Sequence, residues 1–248
     1  MRPAMIDAMV TRRWVTPDAP AEIGKLDGLS YSLWLGPGGD PERGGVVIVH
    51  GAGSSKESHH DFARAVLGAG FAAIAFDQRG HGASDGRLDG RVLEDMRSIT
   101  DLLRARIGGA RAPIAVRGSS MGGYLAIVAA AAIKAHAVVA ICPASAEGLR
   151  RWLARSNLGF EADAQTLDAF LDAHELGDAV QALEIPLLIL HAEGDEVVPV
   201  ALSRELSRLL RSPQSRLVTV PGGHHRSIQH DPELQAASIR FIETALSA

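Results

Sequence analysis

PIAVRGSSMGGYLAIVAAAAI, Pro113 to Ile133, decides the fold. Pro113–Gly118 is a short apolar run suited to a buried strand, and the aliphatic, alanine-rich stretch from Tyr124 to Ile133 suits a buried helix. Between them stands Gly118-Ser119-Ser120-Met121-Gly122, a G-x-S-x-G match in strand–turn–helix context. Small residues two before and two after Ser120 let the backbone fold sharply. The hydroxyl then stands at a helix N-terminus, where backbone N–H groups and the helix dipole stabilise developing negative charge.

The same pattern occurs at Gly82-Ala83-Ser84-Asp85-Gly86. It follows a loop and leads into Arg-Leu-Asp-Gly rather than a helix, so Ser84 reads as a turn residue. So short a motif carries meaning only through its context.

Working outward, further apolar runs ending in turn residues read as strands: Leu29–Leu35, Val46–His50, Phe71–Asp77, Ala137–Cys142, Pro186–His191 and Arg216–Val220. Val92, Met96, Ile99, Leu102, Leu103 and Ile107 recur at the spacing of one helix face, as do Leu202, Leu206, Leu209 and Leu210. Asp231-Pro232 supplies an N-cap and a proline at the first helical position. Strands alternating with helices predict an α/β fold: a mostly parallel central sheet flanked by helices. Leu29–Leu35 and Val46–His50 are joined by a turn-rich link, GPGGDPERGG, which suggests an antiparallel start. Residues 146–183 hold helical spacing with no strand, far longer than an ordinary connection of about two to six residues. They read as a short helical cap insertion in one domain spanning residues 1–248.

With a formal net charge of −4 and a pI near 6.2, the chain lacks the electrostatic footprint of a nucleic-acid binder. No run approaches the ~18 apolar residues that span a bilayer, and MRPAMIDAMVTRRW lacks the pattern of a signal peptide. A lone Cys142 cannot form an internal disulfide, so the expectation is cytoplasmic, with no membrane or nucleic-acid partner. The sequence carries no signal for oligomeric state.

Four pieces in order now identify a resemblance: HGAGSS after the Val46–His50 run, DQRGHGASDG, GSSMGG, and HAEGDEVVP followed by PGGHH. The chain resembles the α/β hydrolases from about Leu29 to its end. The resemblance implies Ser120 as nucleophile, with an acid and then a histidine following in chain order. It picks Asp195 over Glu193 and Glu196, and His225 with His224 as the alternative. It also implies an oxyanion hole from the backbone N–H groups of Ala52 and Met121.

The implied chemistry is acyl transfer to water on a small-molecule substrate, without cofactor or metal. A short cap and few aromatics favour a small or medium acyl ester. The same triad would also serve a thioesterase, a cofactor-free perhydrolase or a carbon–carbon hydrolase, and a non-catalytic ligand binder is a further reading. His50, Asp77 and His81 read as structural, Cys142 as core. His59-His60 lacks a third ligand nearby in sequence.

Overall fold

The computed structural model describes residues 19–36, 43–154 and 159–247, so the stretch MRPAMIDAMVTRRW and the middle of the GPGGDPERGG link lie outside the described residues. Among the described residues there are eight strands: β1 (Glu22–Leu26), β2 (Leu29–Trp34), β3 (Gly45–Val49), β4 (Ala72–Phe76), β5 (Ile114–Ser119), β6 (Ala137–Ile141), β7 (Leu187–Ala192) and β8 (Arg216–Val220). They form one sheet in the order β1-β2-β4-β3-β5-β6-β7-β8. From β4 to β8 every neighbouring pair is parallel.

The start of the sheet is antiparallel, but not between the partners the turn-rich link suggested. β2 lies between β1 and β4, antiparallel to both, and β3 lies beyond β4. β1 alternates half-buried and exposed residues with a glycine and a lysine in five positions, so it shows no apolar run.

Helices cover both faces. α1 (His60–Gly68) and α8 (Pro232–Leu246) pack on the face of Val46, Ile48 and Ala115. α2 (Val92–Arg106) and α3 (Met121–Ala129) pack on the face of Val47, Val49 and Val116. This is the period-two division expected of strands covered on both sides. α3 is buried at every position except Val128, which suits its aliphatic composition. Asp231 caps α8 by accepting from the Glu233 and Leu234 amides. The long insertion holds α4 (Ala146–Leu153), α5 (Ala164–Ala173) and α6 (Leu176–Ala182); α7 (Val200–Ser207) follows β7. Among the described residues no helix is long and apolar enough to cross a membrane.

The β5–α3 junction is the tightest point of the core. A Cβ on Gly118 would stand 1.9 Å from the Gly122 carbonyl oxygen, and one on Gly122 would stand 2.2 Å from that of Val49. Neither backbone can yield without moving the sheet. Gly122→Ala is therefore expected to lower stability by about 3 kcal/mol, the upper end of ordinary overpacking. Urea unfolding measures it, and an unchanged midpoint would mean the junction has slack.

Candidate active site

Ser120 sits between β5 and α3 with φ 55° and ψ −117°, a conformation that L-residues rarely adopt. Its amide donates to the Ile141 carbonyl on β6 at 2.8 Å, and its carbonyl accepts from the amides of Tyr124 (3.0 Å) and Ala144 (3.1 Å). Such a backbone costs on the order of 1–3 kcal/mol and persists only where its surroundings over-determine it. As the first residue of α3, Met121 carries an amide with no partner inside the helix.

The loop after β7 carries Asp195. Its Oδ1 accepts from the Val197 and Val198 amides, both at 2.8 Å, and its Oδ2 accepts from His225 Nδ1 at 2.7 Å. His191 Nε2 lies 3.4 Å from the same Oδ2 and donates to the Val198 carbonyl. Burial alone would raise the Asp195 pKa. The bonds from His191, His225 and the Val198 and Val197 amides outweigh it and hold the carboxyl well below the usual range.

Of the two neighbouring histidines, His225 is the one beside Asp195. His224 is exposed, and its ring accepts only a long bond from the Arg226 amide. Glu193 pairs with Arg204, while Glu196 accepts from the His225 amide at 3.2 Å.

The loop after β3 is fixed from beneath by the loop after β4. His50 Nε2 accepts from the Gln78 amide, and Gln78 Nε2 donates to the His50 carbonyl at 2.7 Å. His81 Nε2 accepts from the Gly53 amide at 3.1 Å, holding the turn that contains Ala52. Asp77 is fully buried; it accepts from the Lys56 amide and ammonium, each at 2.7 Å, and from the Ala83 amide at 3.0 Å. Ser84, from the first motif match, donates to the Asp77 carbonyl and accepts from the Ser30 amide, a turn role far from nucleophilic chemistry. The Ala52 amide makes no hydrogen bond among the described residues.

A cleft of about 740 Å³ joins these loops, and Ala52, Ser120, Trp152, Val198 and His225 all line it. Segment 160–163 pairs with the β4 loop through Leu88 and Glu161, and Tyr124 on α3 donates to the His174 carbonyl after α5. Phe160 stacks on His81 at 3.8 Å and on Trp152 at 4.9 Å.

Cys142 is buried beside Asp195, and burial pushes its thiol pKa up. Cys142, His191 and Asp195 are the one trio of ligand-type side chains grouped together among the described residues, and the latter two are committed to hydrogen bonds. His59 and His60 have separate neighbours, His230 and Trp34.

Sequence reasoning missed Lys56, Gln78 and His191. Lys56 looks like a surface residue of a loop, and only its buried ion pair with Asp77 reveals it. His191, a histidine in a buried strand four residues before Asp195, offered a signal.

The family described as Serine aminopeptidase, S33 matches residues 40–160 and 158–233. A monoacylglycerol lipase from Mycolicibacterium smegmatis is 30% identical, the match covering 82% of this chain and 87% of that protein. Est1E from Butyrivibrio proteoclasticus, solved with ferulic acid bound, superposes with a TM-score of 0.71 at 24% identity, over 92% of this chain and 100% of that one. The Paleococcus ferrophilus monoacylglycerol lipase gives 0.65 at 22% identity, over 88% and 98%.

The anchoring histidines predict an acid-sensitive fold. Burial, reinforced by nearby His50, pushes His81 down from 6.5 to about 4. Between those values the unfolded chain binds a proton that the folded chain refuses, so stability rises with pH across this window and is lost on acidification. His81 alone should cost about 2 kcal/mol between pH 7 and pH 5. His81→Gln, which keeps an acceptor for Gly53, should lose that much less in thermal melts over the same range; an unaltered pH slope would contradict it.

Proposed function

The chain belongs to the serine aminopeptidase S33 family of α/β hydrolases, and from that premise we propose a serine hydrolase that cleaves small or medium acyl esters through an acyl-enzyme. The observation that carries the reading is the 2.7 Å bond between His225 and Asp195 in a cleft that also exposes Ser120. With Nδ1–H committed to Asp195, His225 Nε2 is left as an acceptor.

In this mechanism Ser120 Oγ attacks the ester carbonyl carbon while its proton passes to His225 Nε2. The amides of Ala52 and Met121 hold the oxyanion, each worth roughly 2.7–4 kcal/mol in comparable sites. The carbonyl re-forms as the carbon–oxygen bond breaks, and His225 delivers the proton to the departing alkoxide. Water, deprotonated by His225, then releases the acid and returns the proton to Ser120. Asp195 keeps the imidazole oriented and balances its positive charge. No step calls on a metal or cofactor.

The acyl chain fits the apolar side of the cleft, formed by Leu149, Trp152, Val198 and Leu202, and the helices of residues 146–183 act as its cap within a single domain. Beneath the cap, between Met121, Leu125, Trp152 and Phe170, the remaining space is about 20 Å³, which supports a short chain over a long lipid tail. The relative named as a monoacylglycerol lipase supports esters over peptides. The buried, unpaired Cys142 suits a cytoplasmic setting.

A fluorophosphonate probe should add once to the native protein and not to Ser120→Ala, read by intact mass. On p-nitrophenyl esters, His225→Ala should lose about 10⁴-fold in kcat or more, whereas His224→Ala should stay within a few-fold. Absence of an adduct on folded native protein would end this reading. Faster turnover of aminoacyl anilides than of esters would move it to peptidase chemistry.

A further inference from the structure

β8 is one edge strand of the sheet, with half-exposed residues, and the turn that follows it is largely exposed up to Arg226. β8 pairs with β7 alone, and the pairing ends at Val220, so the sheet supports His225 from one side only. The bonds from His225 to Asp195 and Glu196 tie it to the β7 loop, not to the strand that carries the nucleophile. Something else has to set its distance from Ser120.

The link lies four residues beyond His225, in the 3₁₀ turn Ile228–His230. The hydroxyl of Ser119, the residue immediately before the nucleophile, donates to Gln229 Oε1 at 2.9 Å. Arg117, two residues further back on β5, donates from Nη2 to the Gln229 carbonyl, also at 2.9 Å. Arg117 is only 1% exposed, and its guanidinium lies 3.9 Å over the Phe62 ring. Its Nε and Nη1 have no hydrogen-bond partner among the described residues, so the Gln229 carbonyl is the acceptor on which this buried cation depends. A charge-assisted bond of that kind, shielded from water, is among the stronger ones a protein makes.

The far side of the turn is tied down as well. Gln229 Nε2 donates to His230 Nε2 at 2.8 Å, and His230 Nδ1 donates to Asp61 on α1 at 2.9 Å. Gln235 on α8 bonds both Asp61 (2.7 Å) and the Gln229 carbonyl (3.1 Å). Ile228 fills the apolar layer beneath.

We propose that Gln229 is a positioning residue that clamps the His225 loop to the nucleophile strand through Ser119 and Arg117. The inference rests on the assignment of Ser120 as nucleophile and His225 as base. Gln229 also reaches the wall of the cleft, so the test has to separate positioning of the base from contact with substrate.

Ser119→Ala, Gln229→Leu and the double variant are compared with wild type on p-nitrophenyl butyrate, alongside deuterium uptake of the peptide covering residues 221–231. Each single variant should lose about tenfold in kcat with KM within twofold. The double variant should be no worse than the worse single, because both substitutions cut the same bond. Uptake in 221–231 should rise in each while the β5 and β6 peptides stay protected. The clamp is overturned by additive losses, by a rise in KM with kcat unchanged, or by unaltered uptake in 221–231. Raised uptake with kcat at the wild-type value overturns it too. Should the wild type itself give no Ser120 adduct, the hydrolase reading falls, and the exchange comparison still decides whether the clamp exists.

Discussion

The strained backbone of Ser120 is the constraint around which the molecule is arranged. A non-glycine residue at φ 55° exists only because three main-chain bonds, to Ile141, Tyr124 and Ala144, hold it from both sides. Those bonds require β5 and β6 in register and α3 packed directly against them. The register is set by short strands buried at every position, and the packing by a helix with almost no polar surface. Burying a mostly apolar helix returns more than the roughly 1–3 kcal/mol of strain. The glycines flanking the serine are its counterpart: the backbone approaches so closely there that any side chain would push the helix away.

A second layer of organisation is polar and buried. Three groups of bonds, Asp77 with Lys56, His50 with Gln78, and His81 with the Gly53 amide, lie under the loop that carries Ala52. An ion pair taken out of water adds little net stability, because desolvating both charges offsets their attraction. Its effect lies in direction. Each carboxylate oxygen of Asp77 has a defined donor, so the two loops can meet in one way only. Neutral histidines suit this role at neutral pH, since each offers one donor and one acceptor at fixed positions.

The parts of the fold legible in the sequence were those where a local pattern meets a local need. Seven strands announced themselves as apolar runs, and the elbow announced itself because strand, tight turn and helix follow one another within Pro113–Ile133. β1 did not, because a strand at the sheet edge with one face toward solvent needs no apolar run. The placement of β2 beside β4 was equally hidden, because a turn-rich link constrains how far the chain travels and not which edge it meets. At the site, the His224–His225 doublet could be divided only by family pattern. What distinguishes the two is their distance from Asp195, about thirty residues back, and no spacing rule reports that. Arg117 carries no local signal for a similar reason. An arginine in a strand ordinarily points to water, and only tertiary structure shows this one folded over Phe62.

These observations meet in how precision is shared between backbone and side chains. Ser120 and the loop of Ala52 lie at the ends of interior strands, so the sheet itself locates them. Asp195 follows β7, one strand in from the edge, and is held by two amides of its own loop as well as by histidines. His225, proposed above as the general base, follows an edge strand, where fewer main-chain bonds are available, yet a general base must sit within about half an ångström of its working position. Side chains must then supply what the sheet does not. The side-chain bonds that Gln229 and His230 make to Ser119 on β5, Asp61 on α1 and Gln235 on α8 meet that need. An interior position for the proposed base would have made such a network unnecessary; an edge position with no network would leave His225 free to drift from Ser120.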